Sequence, residues 1–169
     1  MSALSCCADC GALVNDLDGP QHPYLSATPG CWALFCSLED WKLGLVASGD
    51  VAVAQDLVDA YAAQHPTNTD RRNRQSVAVH LMSLCAAVEA GLSGTDRRAA
   101  IGRWAHHDYP PLVPSPCHFE VTASDVAAAP TQGRAATVQR MAANTWTAWS
   151  EHHATIRGWL ASGGPSPPQ

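Results

Sequence analysis

The sequence predicts an all-α fold, a bundle-like arrangement of five or six helices with a zinc knuckle at the N-terminal end, and three observations carry that prediction. Apolar residues recur at helical spacing over most of the chain, while strand-like alternation is nearly absent. The periodic stretches are punctuated by helix starts and stops, among them Thr28-Pro29, Asp50, Gln64-His65-Pro66, Gly91 and Thr122 to Asp125. Ahead of the first helix, Cys7-Ala-Asp-Cys10-Gly11 has the form of half a zinc site, two thiols two residues apart followed by a glycine that lets the backbone turn back towards them.

Residues 1 to 27 show no sustained period. Thr28 reads as an N-cap with Pro29 at the first helical position, so Cys31 falls in a first turn, where the helix dipole favours a thiolate. Trp32, Phe35, Leu38 and Trp41 or Leu45 give that helix one broad apolar face to about Val46. Asp50 opens a second helix carrying Val51, Ala54, Leu57, Val58 and Tyr61, which Pro66 stops. Gln75 to Glu89 is apolar almost all round and reads as a buried central helix closed by Gly91. Its one polar stripe is Asn73, Ser76, His80 and Ser83; an unpaired buried imidazole or hydroxyl costs about 1 to 3 kcal/mol, so His80 needs a partner. Thr95 and Asp96 open a shorter helix to Trp104, residues 105–121 form a proline-rich irregular arm, and a capping box at Thr122 to Asp125 starts a short helix ended by Pro130. A last, longest helix spans Arg134 to Ala161 and brings Val138, Ala142, Thr145, Trp149, His153 and Ile156 onto one face, with His152 at its margin. Residues 1–161 are thus expected to form a single helical domain, with a zinc-binding segment at about 6–31, and 162–169 a disordered tail.

A chain of 169 residues with 46% apolar content can bury a full core without disulfides, and its net charge of −5 offers no field for nucleic acid. The cluster Arg71, Arg72 and Arg74 reads as a partly paired surface or as an anion or substrate clamp. Neither a membrane span nor a signal peptide is evident, so the expected location is cytoplasmic. Seven cysteines in a reducing compartment point to metal ligation or plain packing rather than disulfides. Cys36 and Cys85 suit small core positions, and Cys117 is uninformative. The expected zinc quartet is Cys7, Cys10, His22 and Cys31, with Cys6 able to replace Cys7 if the knuckle is one residue wider.

The ordered motifs Cys-x-x-Cys-Gly, His-x-Tyr, Pro-Gly-Cys-Trp, Gln-His-Pro, Gln-Ser-Val-x-x-His-Leu and Trp-x-x-Trp-x-x-His-His resemble an uncharacterised bacterial family, a domain of unknown function common in actinobacteria, over about residues 7 to 160. The resemblance implies that Cys7, Cys10, His22, Cys31, His65, His80 and His153 are the positions to watch, and it supports the quartet without supplying a reaction.

His80 and His153 form the expected working pair, since axes of packed helices lie about 8 to 10 Å apart. They read as core histidines, as ligands of a second metal, or as a metal-free acid–base dyad; a metal would need a third ligand from His65, His152, Gln64 or the loop histidines His106, His107 and His118. If its helix forms a hairpin with the central one, His65 lies about 10 Å or more from His80. The functional expectation is a small zinc-binding enzyme acting on a small organic molecule, with His80, His153, His65 and His152 as catalytic candidates in a pocket between the central and final helices. Its rival is a non-catalytic zinc-stabilised module that binds a protein partner or senses metal. A protein partner or a homo-oligomer is compatible with either reading.

Overall fold

Thr28, Pro29 and the apolar run after them do start a helix: α1 (Pro29–Cys36) is capped by the Thr28 side chain, which accepts from the Cys31 amide. The computed structural model describes residues 3–67, 69–112 and 118–163, and within them the chain is mostly helical, as the periodicity predicts. After α1 come α2 (Glu39–Ser48), α3 (Val51–Ala63), α4 (Arg71–Ala90), α5 (Gly94–Trp104), α6 (Ala123–Ala128), α7 (Thr131–Ala148) and α8 (His153–Ser162). No helix of the described residues is long and apolar enough to cross a membrane.

The expected first and last helices are each divided in two. A turn at Ser37 and Leu38 separates α1 from α2, with Leu38 buried at the bend. A 3-10 turn over Ser150–His152 separates α7 from α8. The expected caps at Gly91 (φ 63°) and at Thr122 with Asp125 are present. The central helix begins earlier than its apolar run suggests, because the Asp70 carboxylate accepts from the Asn73 amide and fixes the first turn. Ser93, not Thr95, caps α5.

Helices α3 and α4 form the centre, α3 touching α2, α4, α5 and α7 while α4 also meets α8. Leu57, Tyr61, Leu81, Met82, Leu84, Met141 and Trp149 are fully buried between them. The end of α3 is a junction of the fold. Gln64 Nε2 donates to Val121 O and to Thr145 Oγ1, Trp149 Nε1 donates to Ala63 O, and Ser26 Oγ donates to Pro66 O.

The N-terminal segment is a small hairpin rather than irregular chain. Strands β1 (Leu4–Cys6) and β2 (Leu13–Asn15) pair antiparallel with Cys6 opposite Leu13, so the Cys7-x-x-Cys10 knuckle is the hairpin's turn. At three residues each, the strands are too short for the alternation that would reveal them in sequence. Gly30 presses α1 against β2: a Cβ there would stand 1.9 Å from Asn15 O, so only glycine permits that approach. Cys36, expected in the core, is exposed at the end of α1, whereas Cys85 is buried. Cys117 and the tail from 164 onward lie outside the described residues.

Candidate metal centre and histidine pocket

The hairpin turn, the first turn of α1 and the end of α3 converge on one point. Cys7, Cys10, Cys31 and His65, all buried, bring their ligand atoms within 4.8 Å of one another and could hold a metal ion. The knuckle is shaped by the Gly11 amide donating to Cys7 O and the Cys7 amide donating to Ala12 O, with Gly11 at φ 82°, which favours glycine. From the far side of the chain, the His118 and Phe119 amides donate to Asp9 O and Cys10 O and clamp the turn.

The spacing suits a tetrahedral ion. Two sulfurs at about 2.3 Å from a common centre lie about 3.8 Å apart. Cys10 Sγ and Cys31 Sγ are separated by 3.8 Å, and Cys31 Sγ lies 3.3 Å from His65 Nε2. His65 is held in the tautomer a metal requires: its Nδ1 donates to Tyr61 O at 2.7 Å, which leaves Nε2 as the lone-pair atom facing the sulfurs. The Tyr61 hydroxyl donates to Cys31 Sγ at 3.8 Å from outside the cluster.

As protein groups alone the three sulfurs do not all ionise. Hydrogen bonds from Cys10 and Cys31 hold the Cys7 thiol far below its usual range, while those with Cys10 and Cys7 push Cys31 far above it. Burial alone would lower the His65 pKa, but hydrogen bonds with Cys10 and Cys7 outweigh it and raise the ring to about 9. A bound cation would take over that compensating role for all three sulfurs.

The imidazole in this cluster is His65, whereas the sequence expectation placed His22 there. His22 instead packs its ring edge-on against Tyr24 and Trp32, at centroid distances of 4.4 and 4.7 Å, and its Nδ1 accepts from the Tyr24 amide. His65, a catalytic candidate in the sequence, is fully buried among the thiols. The reason is topological: the end of α3 delivers His65 to the hairpin, while the His22 ring is held against Tyr24 and Trp32. Cys6 is not part of the cluster; its thiol donates to Gly11 O.

His80 has the partner its stripe demands, and it comes from α3. Asp59, fully buried, accepts from His80 Nδ1 at 2.7 Å and Gln55 Nε2 at 2.7 Å on one oxygen, and from Ser83 Oγ and Arg97 Nη1 on the other. Arg97, only 1% exposed, also reaches Asp56 at 2.7 Å. His80 Nε2 is left over. It has no hydrogen-bond partner among the described residues, and its ring lines a cavity of about 200 Å³ with His22, Tyr24, Trp32, Tyr61 and Ser76.

His153 is not across from His80, and it does not line that cavity. Across the break at Trp149 the His153 ring stacks on Trp146 at 3.7 Å with its Nε2 2.8 Å from Trp146 O. His152 lies beside Trp149, at 5.5 Å between ring centroids. The expected pairing of His80 with His153 and His152 is therefore replaced by His80 with Asp59 and His22. Gln64, a candidate third ligand, does not line the His80 cavity; its Nε2 donates to Val121 O and Thr145 Oγ1, and its buried Oε1 has no hydrogen-bond partner among the described residues. Asp59 and Arg97 were absent from the sequence reading; their signal, a carboxylate and a guanidinium on otherwise apolar helix faces, becomes visible once α3, α4 and α5 are known to touch.

Fold and site together define a mostly helical protein with a buried Cys3His cluster able to hold a metal ion. Residues 5–150 match the model of a family of unknown function, DUF5946, and the chain belongs to that family. No curated protein and no solved structure matches it.

Proposed function

We propose that the protein is a cytoplasmic, zinc-stabilised enzyme that acts on a small organic molecule at His80. The observation that carries this reading is the orientation of His80: a buried carboxylate holds its Nδ1, and its Nε2 is left for a ligand in a cavity walled by aromatic rings. That is the arrangement in which an imidazole serves as general acid or base, because the carboxylate fixes the tautomer and stabilises the charged ring when a proton arrives. Three thiolates and one imidazole suit zinc in particular, and four protein ligands leave it no open position, so its role is structural. Thiolates survive as ligands in a reducing compartment, which supports the cytoplasmic assignment.

The same His80 tautomer would suit a second metal, so elemental analysis belongs in the test. One zinc per chain, lost in Cys7→Ser with Cys10→Ser and retained in His80→Ala, fits acid–base chemistry; a second ion lost in His80→Ala would make the chemistry metal-assisted. Turnover is sought by incubating the protein with a small-molecule cell extract and following it by mass spectrometry. Wild type should deplete a compound that folded His80→Ala leaves untouched and that Asp59→Asn depletes more slowly. Identical profiles for wild type and His80→Ala would remove the enzyme reading.

A second reading has one observation of its own. Leu4 and Leu13 on the hairpin are 66% and 64% exposed, an apolar face that suits a zinc-stabilised module binding a protein partner or a second copy.

A further inference from the structure

Arg72, Ser76 and His80 stand four residues apart along α4, and so form one row on one face of the helix, about 12 Å from end to end. The cavity at His80 continues into a second one, lined by Arg72, Gln75 and Ile101, and the two share Tyr24, Ser76 and His80. Each member of the row has unused binding capacity. Arg71 and Arg74 both turn to Asp108, at 3.8 and 3.6 Å, but Arg72 has no carboxylate partner among the described residues. Its guanidinium lies over the Tyr24 ring at 4.3 Å, which fixes the plane and leaves the N–H edge free. Ser76 is 7% exposed, and its Oγ has no hydrogen-bond partner. A buried hydroxyl left unpaired beside a cavity calls for a ligand atom. The other cation at the cavity, Lys42, is taken by Glu39 at 2.6 Å.

We infer that this row binds a small aromatic carboxylate. The anion pairs with Arg72, Ser76 donates to it or to a neighbouring polar atom, and the flat apolar part lies among His22, Tyr24 and Trp32 next to His80 Nε2. One free guanidinium matches a monoanion, and the ring-lined slot selects a planar body over a branched one. The inference rests on the reading of the His80 cavity as a ligand site, and it names the class of molecule that site takes.

The probe is 3-phenylpropionate, compared with its neutral isostere 3-phenylpropanamide, titrated into the full chain by calorimetry and by NMR of its histidine ring signals. The acid should bind about tenfold more tightly than the amide, the scale of one charge-assisted hydrogen bond. Arg72→Gln, a change at an exposed position, should reduce that preference below about twofold, and Ser76→Ala should weaken the acid several-fold. Both His80 and His22 signals should move on binding. Equal affinity for acid and amide, no binding of either, or a preference untouched by Arg72→Gln would each overturn the inference. The two levels of the reading fail separately. Equal binding that still shifts His80 removes the carboxylate and leaves the cavity as a ligand site. An Arg72-dependent preference with His80→Ala turnover unchanged keeps the carboxylate site and removes the acid–base role.

Discussion

Asp59 meets a guanidinium, a hydroxyl, an amide and an imidazole from three helices, so the chain itself compensates its charge, whereas the three sulfurs beside His65 face a single imidazole. Asp59 and Arg97 in the one, and all four ligand residues in the other, are buried. In one the buried carboxylate is paired on both oxygens as folded, and the other has the geometry of a site that becomes balanced when a cation enters. A buried polar group costs several kcal/mol unless it is paired, and the two regions show the two remedies, an internal counter-ion and an external one.

The largest effect should come from withdrawing the external ion. A strong zinc chelator at neutral pH, or Cys7→Ser with Cys10→Ser, should abolish the cooperative melting of the metal-loaded protein, since structural zinc sites are worth on the order of 10 kcal/mol; calorimetry with and without added zinc checks it. His65→Ala should lose the metal and His22→Ala should keep it, read by elemental analysis, and the opposite result would return the fourth ligand to His22.

Breaking the internal pair should come next. Asp59→Ala leaves Arg97 buried beside Asp56 alone and should cost about 3 to 5 kcal/mol in urea denaturation. Asp59→Leu combined with Arg97→Met should cost less than the sum of the single changes, because both charges leave together.

His153 lies outside both clusters and tests their separateness. His153→Ala removes a stacked ring and a hydrogen bond to Trp146 and should cost about 1 to 2 kcal/mol, while metal content and the His80 ring signals stay as they are. A shift at His80 would show that the two histidines communicate after all.

The smallest effect is on pH dependence. Burial, with Arg72 and His80 adding to it, holds the His22 pKa below its ordinary 6.5. The unfolded chain therefore takes up this proton first as pH falls, and His22 subtracts stability from about pH 6.5 downward until the folded ring protonates too. Its NMR titration should have a midpoint below 6.5, and His22→Gln should flatten the loss of stability in that window.

Much of this was legible in the sequence where the signal is local. The CxxCG knuckle, the Thr28-Pro29 start that places Cys31, the Gln75 to Glu89 helix closed by Gly91 and the Thr122 box each depend on neighbours within a few residues, and each formed. The requirement that His80 find a partner was legible too, because a polar stripe on a buried helix has to be satisfied. What could not be read were the choices made across the chain. His22 is close to Cys10 in sequence and His65 is distant, yet the end of α3 folds onto the hairpin, and sequence distance carries no information about that. Asp59 was hidden among apolar neighbours, and the break at Trp149 turned His153 aside.

The convergence of the cluster has a kinetic side. Its ligands come from the hairpin turn, from a helix 21 residues beyond Cys10, and from a position 34 residues beyond Cys31. Until α3 docks, an unfolded chain offers an ion little more than the two thiols of the knuckle, so the full cluster closes late, after loops of that length have been brought together. Interactions made late leave the folding rate nearly alone and act on the reverse step. The ion should therefore serve chiefly as a latch, lengthening the lifetime of the folded chain more than it hastens its formation.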